Sequence, residues 1–523
     1  MSVLSVPPAR LAPSRLALPR SLRALRLEFK RNAVPYVLPL LAAVFYFNTI
    51  RTADGYPPIW TQRASTITND MMFEFSVFAG GLAAWAGSRE GRRRTADLVA
   101  TTSRATWARL SVALAGTLCW MMLAFLAGVA VVYIQTALQA TWGGPPLWPV
   151  FVGAAAVTAV TVIGFTAGVF APGRFTAPLV AILVAVLSQV GFRSALGVTS
   201  RSGTYALLSP ETSPPGIDAG VYYHVAPDLA IVQVMFMGGI AVALFGVLGL
   251  VPGLRELASD RSIRSLRAVF TRGDGWLLRA GAVLLIAGGG AASSTAFTLA
   301  GTARLDATTG GWEIPALHSA ASDQPVPVTP SCASASGFQV CVHPAFGFYL
   351  PDLAAALDPV GAEIAGLPGA PARAAELPST TGGEPVMSGI AGNPPVFDFT
   401  ADHVGNMFGE FYGIPDMGAW RAGFQTGLLD AFLEGQSHGA GTVPLDAAQQ
   451  AVENGLLTAI GSPPPTTFGG MNMNGKVTTP QTAAEVTAAT QRFAALSAGA
   501  RHAWLAAHLA ALRAGTVTLA QIP

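Results

Sequence analysis

Apolar and polar positions along the chain follow two regimes that meet near residue 300. Before it, seven apolar stretches recur: Ala33 to Ile50, Met71 to Gly87, Leu110 to Ala137, Leu147 to Phe170, Phe175 to Phe192, Leu229 to Val251 and Trp276 to Ala300. At 1.5 Å per residue each is long enough as a helix to cross a hydrocarbon core of roughly 30 Å, the second and fifth only just. A backbone facing lipid must satisfy its own hydrogen bonds, which predicts helices. The short alternating strands of a barrel do not occur in the pattern. After residue 300 no such stretch follows. Helical spacing punctuated by Pro or Gly recurs over 351–366, 415–434, 444–460, 480–498 and 501–514. Short strands are expected at 338–342, 373–377 and 396–399, and loops across the rest of 368–395 and across 461–479. The expected fold class is therefore an all-α polytopic transmembrane domain, six spans plus a seventh, fused to an α-rich α+β extracytoplasmic domain. Its divisions are a basic N-terminal helical segment (1–32), six spans (33–251), a basic linker (252–275), the seventh helix (276–300) and the exported domain (301–523).

Charge divides the chain at the same place. The net charge of +2 hides 24 basic and 12 acidic residues in 1–300 against 7 and 17 in 301–523. Only 11% of residues are charged, against about 25% in an average soluble domain. Basic loops stay on the cytoplasmic side. With the N-terminus inside, the inside segments 1–32, 88–109, 171–175 and 252–279 carry twenty Arg or Lys, and the short outside loops carry four: Arg51, Arg63, Arg193 and Arg201. Seven crossings then leave the C-terminal domain outside a bacterial cell membrane. Cys332 and Cys341, nine residues apart and the only cysteines after residue 300, suit a disulfide in that oxidising compartment. On the chain-entropy model so small a loop stabilises by about 2.5–3 kcal/mol. The alternative is a pair of free thiols. Cys119, within the third stretch, reads as a small packing residue.

The basic N-terminal region is too long, and its apolar sequel too extended, for a cleaved signal peptide. Ser21 is placed to cap a helix from Leu22 to Arg31 with Leu22, Leu25 and Phe29 on one face and Arg23, Arg26 and Lys30 offset from it. Such a helix lies on a membrane surface, or else forms a solvated basic tail. Between the second and third stretches runs SREGRRRTADLVATTSRATWARL, residues 88–110, in which Glu90 stands four residues before Arg94, the favourable order for a helical ion pair. Thr95, Leu98 and Thr102 share one face of a helix there. The segment is either a lever moved by a cytoplasmic partner or a polar connector.

Glu90, Arg92 to Arg94, Thr95, Asp97, Leu98 and Thr101 to Arg104 resemble the E-x(4)-T-x-E-x-L-x-x-T-P-x-S-R signature of the membrane subunits of ABC-2 type ABC transporters. Asp97 is followed directly by Leu98, and Thr102 stands where that family has proline. The resemblance covers about residues 20–251, and the seventh span and large exported domain depart from it. Twenty-nine Arg against two Lys also resembles proteins of high-GC bacteria such as actinobacteria. The resemblance implies a permease subunit of an exporter, a dimer with itself or with a second permease. A separately encoded ATPase would hold the ATP and magnesium and contact Glu90, Arg94, Thr95, Asp97, Leu98 and Thr101. No cofactor is expected in this chain, no metal and no nucleic acid.

Other candidate chemistry is sparse. GMNMNGKV at 470–477 approaches a phosphate loop but has Val477 where Ser or Thr would hold magnesium. Asp70 and Glu74 at the outer end of the second stretch, and Arg193 at the end of the fifth, are expected to reach water. Tyr222, Tyr223 and His224 suit an interfacial anchor or a gate. Asp398, Asp402, His403 and Glu410 form the densest polar group of the exported domain, which carries neither HExxH nor GxSxG. Two rival readings remain: a membrane-anchored receptor or enzyme, and a secondary transporter.

Overall fold

The computed structural model describes residues 20–51, 57–68, 72–93, 105–196, 203–208, 220–259, 276–306, 309, 311–334, 337–378, 389–400, 417–435, 445–462 and 480–523. In chain order its first helices are α1 (Arg20–Lys30), α2 (Val34–Phe45, running on as a π-helical turn over Tyr46–Ile50), α3 (Trp60–Thr66), α4 (Met72–Gly87) and α5 (Arg89–Arg92). Then come α6 (Thr106–Gln139), α7 (Trp148–Phe170), α8 (Thr176–Leu196), α9 (Asp228–Ser259) and α10 (Trp276–Gly301). Every one of the seven apolar stretches is helical. Among the described residues four helices, over Thr106–Gln139, Trp148–Phe170, Asp228–Val251 and Leu277–Gly301, are long and apolar enough to cross a membrane. Arg23–Lys30 and Val34–Ile50 meet the same test only when taken together, as a pair bent by 54° at the break between them. Of the second and fifth stretches, the described part of α4 has 16 residues, and α8 runs 21 residues from Thr176 to Leu196.

Small residues set how closely these helices approach. Lipid gives two apolar helices no hydrophobic reason to associate, so packing must come from backbone proximity. α4 and α7 meet at Gly80, Ala84 and Gly87 on one side and Gly164 and Gly168 on the other. A Cβ on Gly164 would stand 2.2 Å from the carbonyl oxygen of Gly80, and one on Gly168 2.2 Å from that of Ala84. α9 and α10 use the same device: a Cβ on Gly289 would stand 2.4 Å from the Gly239 oxygen, and Ser293 Oγ donates to the Phe236 carbonyl at 3.0 Å. The seventh helix is thus packed closely on α9.

Beyond residue 301 a two-stranded hairpin, β1 (Arg304–Leu305) and β2 (Trp312–Glu313), leads to a five-stranded mixed sheet. Its strands are β3 (Ser331–Ser334), β4 (Gln339–Val342), β5 (Arg373–Leu377), β6 (Gly389–Ala391) and β7 (Val396–Thr400), in the order β3-β4-β5-β7-β6. β4, β5 and β7 are parallel, and the outer strands are antiparallel to their neighbours. A parallel pair needs a crossover, which α11 (Leu350–Ile364) supplies between β4 and β5. The helices α12 (Met417–Glu434), α13 (Ala447–Ala459), α14 (Pro480–Ala494) and α15 (Ala498–Arg513) complete the layer. Val340, Leu353, Leu357, Phe397, Phe432, Leu456 and Phe493 are among its fully buried core residues. Asp446 opens α13 with a reciprocal cap: its Oδ1 accepts from Ala448 N and Gln449 N, and Gln449 Oε1 accepts from Asp446 N.

The three strands expected from sequence are present. β3 and β6 were not expected, because SCAS and GIA carry no strand signal of their own; pairing with β4 and β7 makes them strands. Cys332 and Cys341 face each other across β3 and β4 with their sulfurs bonded. This unit sits on one pole of the helical bundle. Thr141 Oγ1, just past α6, donates to the Pro344 carbonyl at 2.7 Å, and Trp142 packs on His343 with ring centroids 4.7 Å apart. Tyr222 packs on the other side of His343 at 4.9 Å. His224 N donates to the Gln324 carbonyl and Val326 N to that of Tyr222. The Tyr222–His224 segment, expected to be an interfacial anchor or a gate, therefore packs on the C-terminal unit. Ile59 and Val221 belong to the same buried cluster as the sheet.

Candidate functional site

The opposite pole is the end at which the 34-residue α6 begins, at Thr106. There α1, α5 and α6 are bolted together by their polar side chains. Arg89, in the single turn of α5, donates from its two terminal nitrogens to the two carboxylate oxygens of Glu28 in α1, both at 2.9 Å. This is the fork-to-fork geometry of a strong charge-assisted pair. The hydrogen bond to Glu28, followed by its charge, holds the Arg89 guanidinium above its ordinary range. Glu90 points the other way and meets Arg109 in the first turn of α6 at 3.4 Å. Arg92 lies over the Trp85 ring, 3.2 Å from its centre, and donates to Ser88 Oγ and to the Trp85 carbonyl, each at 2.9 Å.

α1 is fixed to α6 over its whole C-terminal half. Phe29 stacks on Trp120 with centroids 4.2 Å apart, and Trp120 Nε1 donates to the Phe29 carbonyl at 2.8 Å. Asn32 does two jobs at the bend. Its Nδ2 donates to Thr117 Oγ1 at 3.1 Å, while its Oδ1 accepts from Val34 N at 3.0 Å and so caps α2. Gly116 lets the helices close, since a Cβ there would stand 3.3 Å from that of Glu28. A Cβ on Gly91 would stand 2.3 Å from Pro172, which brings the short turn before α8 to the same pole.

Of the residues singled out in sequence, Glu90 belongs to this clamp and pairs with Arg109; the Glu90–Arg94 pair expected from the spacing involves a residue outside the described ones. Arg94, Thr95, Asp97, Leu98 and Thr101 lie outside the described residues. Phe29 is half-buried on Trp120, and Arg23, Arg26 and Lys30 are exposed along α1. Glu28 and Arg89, the strongest pair here, were missed. They are 61 residues apart, and only the fold gives the Glu28 in LRLEFKR a partner.

Several other groups differ from expectation. Glu74 is 6% exposed, buried where water was expected to reach it, and Arg63, counted among the outside-loop cations, is 3% exposed. Cys119 is exposed on α6 rather than packed inside. Asp398 lies in β7, while Asp70, Asp402, His403, Glu410 and the 470–477 segment lie outside the described residues, as does the side chain of Arg193. Among the described residues no group of three His, Cys, Asp or Glu is arranged to hold a metal ion.

Two polar constellations were not foreseen in the sequence. Asp430 and Glu434 on α12 face Glu453 on α13, three carboxyl groups in one partly buried cluster. At the start of α9, Asp228 Oδ2 accepts from Ile314 N and meets His318 Nδ1, both at 2.8 Å; His318 Nε2 faces Asp323 at 3.2 Å. The hydrogen bond to Asp228 raises the His318 pKa above its ordinary value. A raised folded-state pKa means that the stability this network adds is full below the unfolded value near 6.5. It is lost as pH rises through the folded value. Amide exchange of residues 312–323 should therefore be faster at pH 8.5 than at pH 6 after correction for intrinsic rates, and His318→Asn should remove most of that difference. Equal corrected protection at both pH values in the unaltered protein would remove the argument.

No protein-family model, curated protein or solved structure matches this chain.

Proposed function

We propose that the chain is the membrane-spanning subunit of an ATP-driven exporter, working with a separately encoded ATPase that docks on the pole formed by α1, α5 and the start of α6. One observation carries this reading. The connection after α4 is held by ion pairs to two other helices, through Glu28–Arg89 and Glu90–Arg109, so a push on it moves α1, α4 and α6 together. A plain polar connector needs no such linkage, since exposed ion pairs add little to stability. On this reading the seven apolar helices all cross, including the short α4 and α8. Alternate connections agree with that: the segments that touch the C-terminal unit follow α2, α6 and α8, and those at the clamp precede α2 and follow α4 and α7. The basic clamp pole is then cytoplasmic, the disulfide-bearing unit lies outside, and the working form is a dimer with itself or a second permease.

The test uses the full chain co-expressed with the ATPase encoded beside it. Reporter fusions after Arg94 and after Gly310 should report cytoplasm and exterior respectively. In reconstituted membranes, Arg89→Ala and Glu90→Ala should leave insertion and monodispersity near normal. They should also lower substrate-stimulated ATP hydrolysis by at least about fivefold, the low end of coupling free energies between sites. The exchange Glu28→Arg with Arg89→Glu should restore part of what Arg89→Ala loses. Unchanged stimulation in well-folded variants, or both reporters on one side, would overturn the reading.

A further inference from the structure

Between α1 and α6 runs an open groove of about 510 Å³, within the range of roughly 300–1,000 Å³ that small-molecule sites occupy. Leu25, Phe29, Met122, Leu123 and Leu126 form it almost wholly from apolar atoms, and Arg26 stands in its wall. Its depth can be read from α6. The bonds from Glu28 to Arg89 and from Asn32 to Thr117 fix α1 at the level of Gly116 and Thr117. Some 20 residues of helix, about 30 Å, then separate that level from the far end of α6, which matches a hydrocarbon core. The groove at residues 119–126 thus opens just inside the level where headgroups give way to chains, with Arg26 in its wall, a long side chain that can reach toward that boundary.

Charge decides what fits. The one acid of α1, Glu28, is already bonded to Arg89, which leaves the helix surface basic. Arg26 is exposed and has no ion pair among the described residues. An apolar slot under an uncompensated guanidinium is complementary to a chain that carries an anionic head, because basic residues at this depth attract acidic lipids and can bond their phosphate oxygens. We propose that this groove is a binding site for an anionic phospholipid, with one acyl chain against Met122, Leu123 and Leu126 and its phosphate on Arg26. The site ties the lipid to the clamp helix itself. It rests on α6 crossing a membrane and not on the transport reading.

Cys119 supplies a built-in probe, because it lines the groove and the other two cysteines are bonded to each other. The rate of maleimide labelling of Cys119 in the full-length, detergent-purified protein should fall when dioleoylphosphatidylglycerol is added. It should fall about fivefold more than with dioleoylphosphatidylcholine, the preference one basic residue provides near an anionic surface. Inorganic phosphate should not protect. Arg26→Gln should make the two lipids equivalent, and Leu126→Trp, which fills the far end of the groove, should weaken protection by both. Equal protection by the two lipids in the unaltered protein would mean an ordinary lipid annulus and overturn the proposal. Protection by phosphate alone, or a preference that survives Arg26→Gln, would do the same. The unaltered-protein comparison needs no variant to fold, and none of its outcomes depends on an ATPase.

Discussion

Gly164→Val should abolish the folded membrane bundle. The substitution puts a Cβ 2.2 Å from the backbone oxygen of Gly80, and neither helix can yield without losing the close approach that joins α4 to α7. Overpacking in a well-packed core costs about 1–3 kcal/mol where side chains can move. Here the obstacle is main chain, so the helices must separate. Gly288→Val is the control, since nothing lies within 4 Å of a Cβ built at Gly288 in α10. Size-exclusion profiles of fluorescently tagged protein in detergent should show Gly164→Val aggregated or absent and Gly288→Val like the unaltered chain. A monodisperse Gly164→Val protein would show that α4 and α7 do not pack as described.

Glu453→Gln should stabilise the C-terminal unit, and more at high pH than at low. Glu453 is 3% exposed and its Oε1 has no hydrogen-bond partner. Burial first, and then the neighbouring Asp430, raise its pKa well above the ordinary carboxyl value. Burial, with the charge of Glu434, pushes Asp430 up to about 7. No Lys or Arg forms a salt bridge with these three groups among the described residues; Arg513 stacks over Phe432 and bonds its carbonyl instead. The folded state therefore holds protons that the unfolded chain releases above about pH 4. Stability is full below that pH and falls as pH rises through the raised values, by about 1.36 kcal/mol per pH unit for each linked proton. Gln keeps the volume and a donor toward Asp430 but has no proton to lose. Urea unfolding of this unit in the full-length protein, read by limited proteolysis, should show the variant gaining at least about 2 kcal/mol more at pH 8 than at pH 5. Parallel pH profiles for variant and parent would sink the idea.

Much of the architecture is legible in the sequence, because length and period are local properties. Seven apolar stretches became seven helices, close to their expected bounds except that α9 runs eight residues past Val251, to Ser259, into the expected linker, and strands appeared at the expected 338–342, 373–377 and 396–399. The Cys332–Cys341 pair and the chain's division near residue 300 were legible for the same reason. What the sequence could not supply is the identity of partners across the fold. Tertiary packing brings Arg109, 19 residues on, to Glu90 and gives Arg89 to Glu28, 61 residues back. Glu74 read as interfacial by position, yet it is only 6% exposed. Nothing local in the sequence marks His318, which gains a partner only because the chain after α10 folds back onto Asp228 at the head of α9. The sequence by itself determined which segments are helices and how long they are, since a lipid-facing backbone has few other ways to satisfy its hydrogen bonds. Only the tertiary structure decided which charges meet, which acids are buried and which face of α1 is left open, because those depend on contacts between residues tens to hundreds of positions apart.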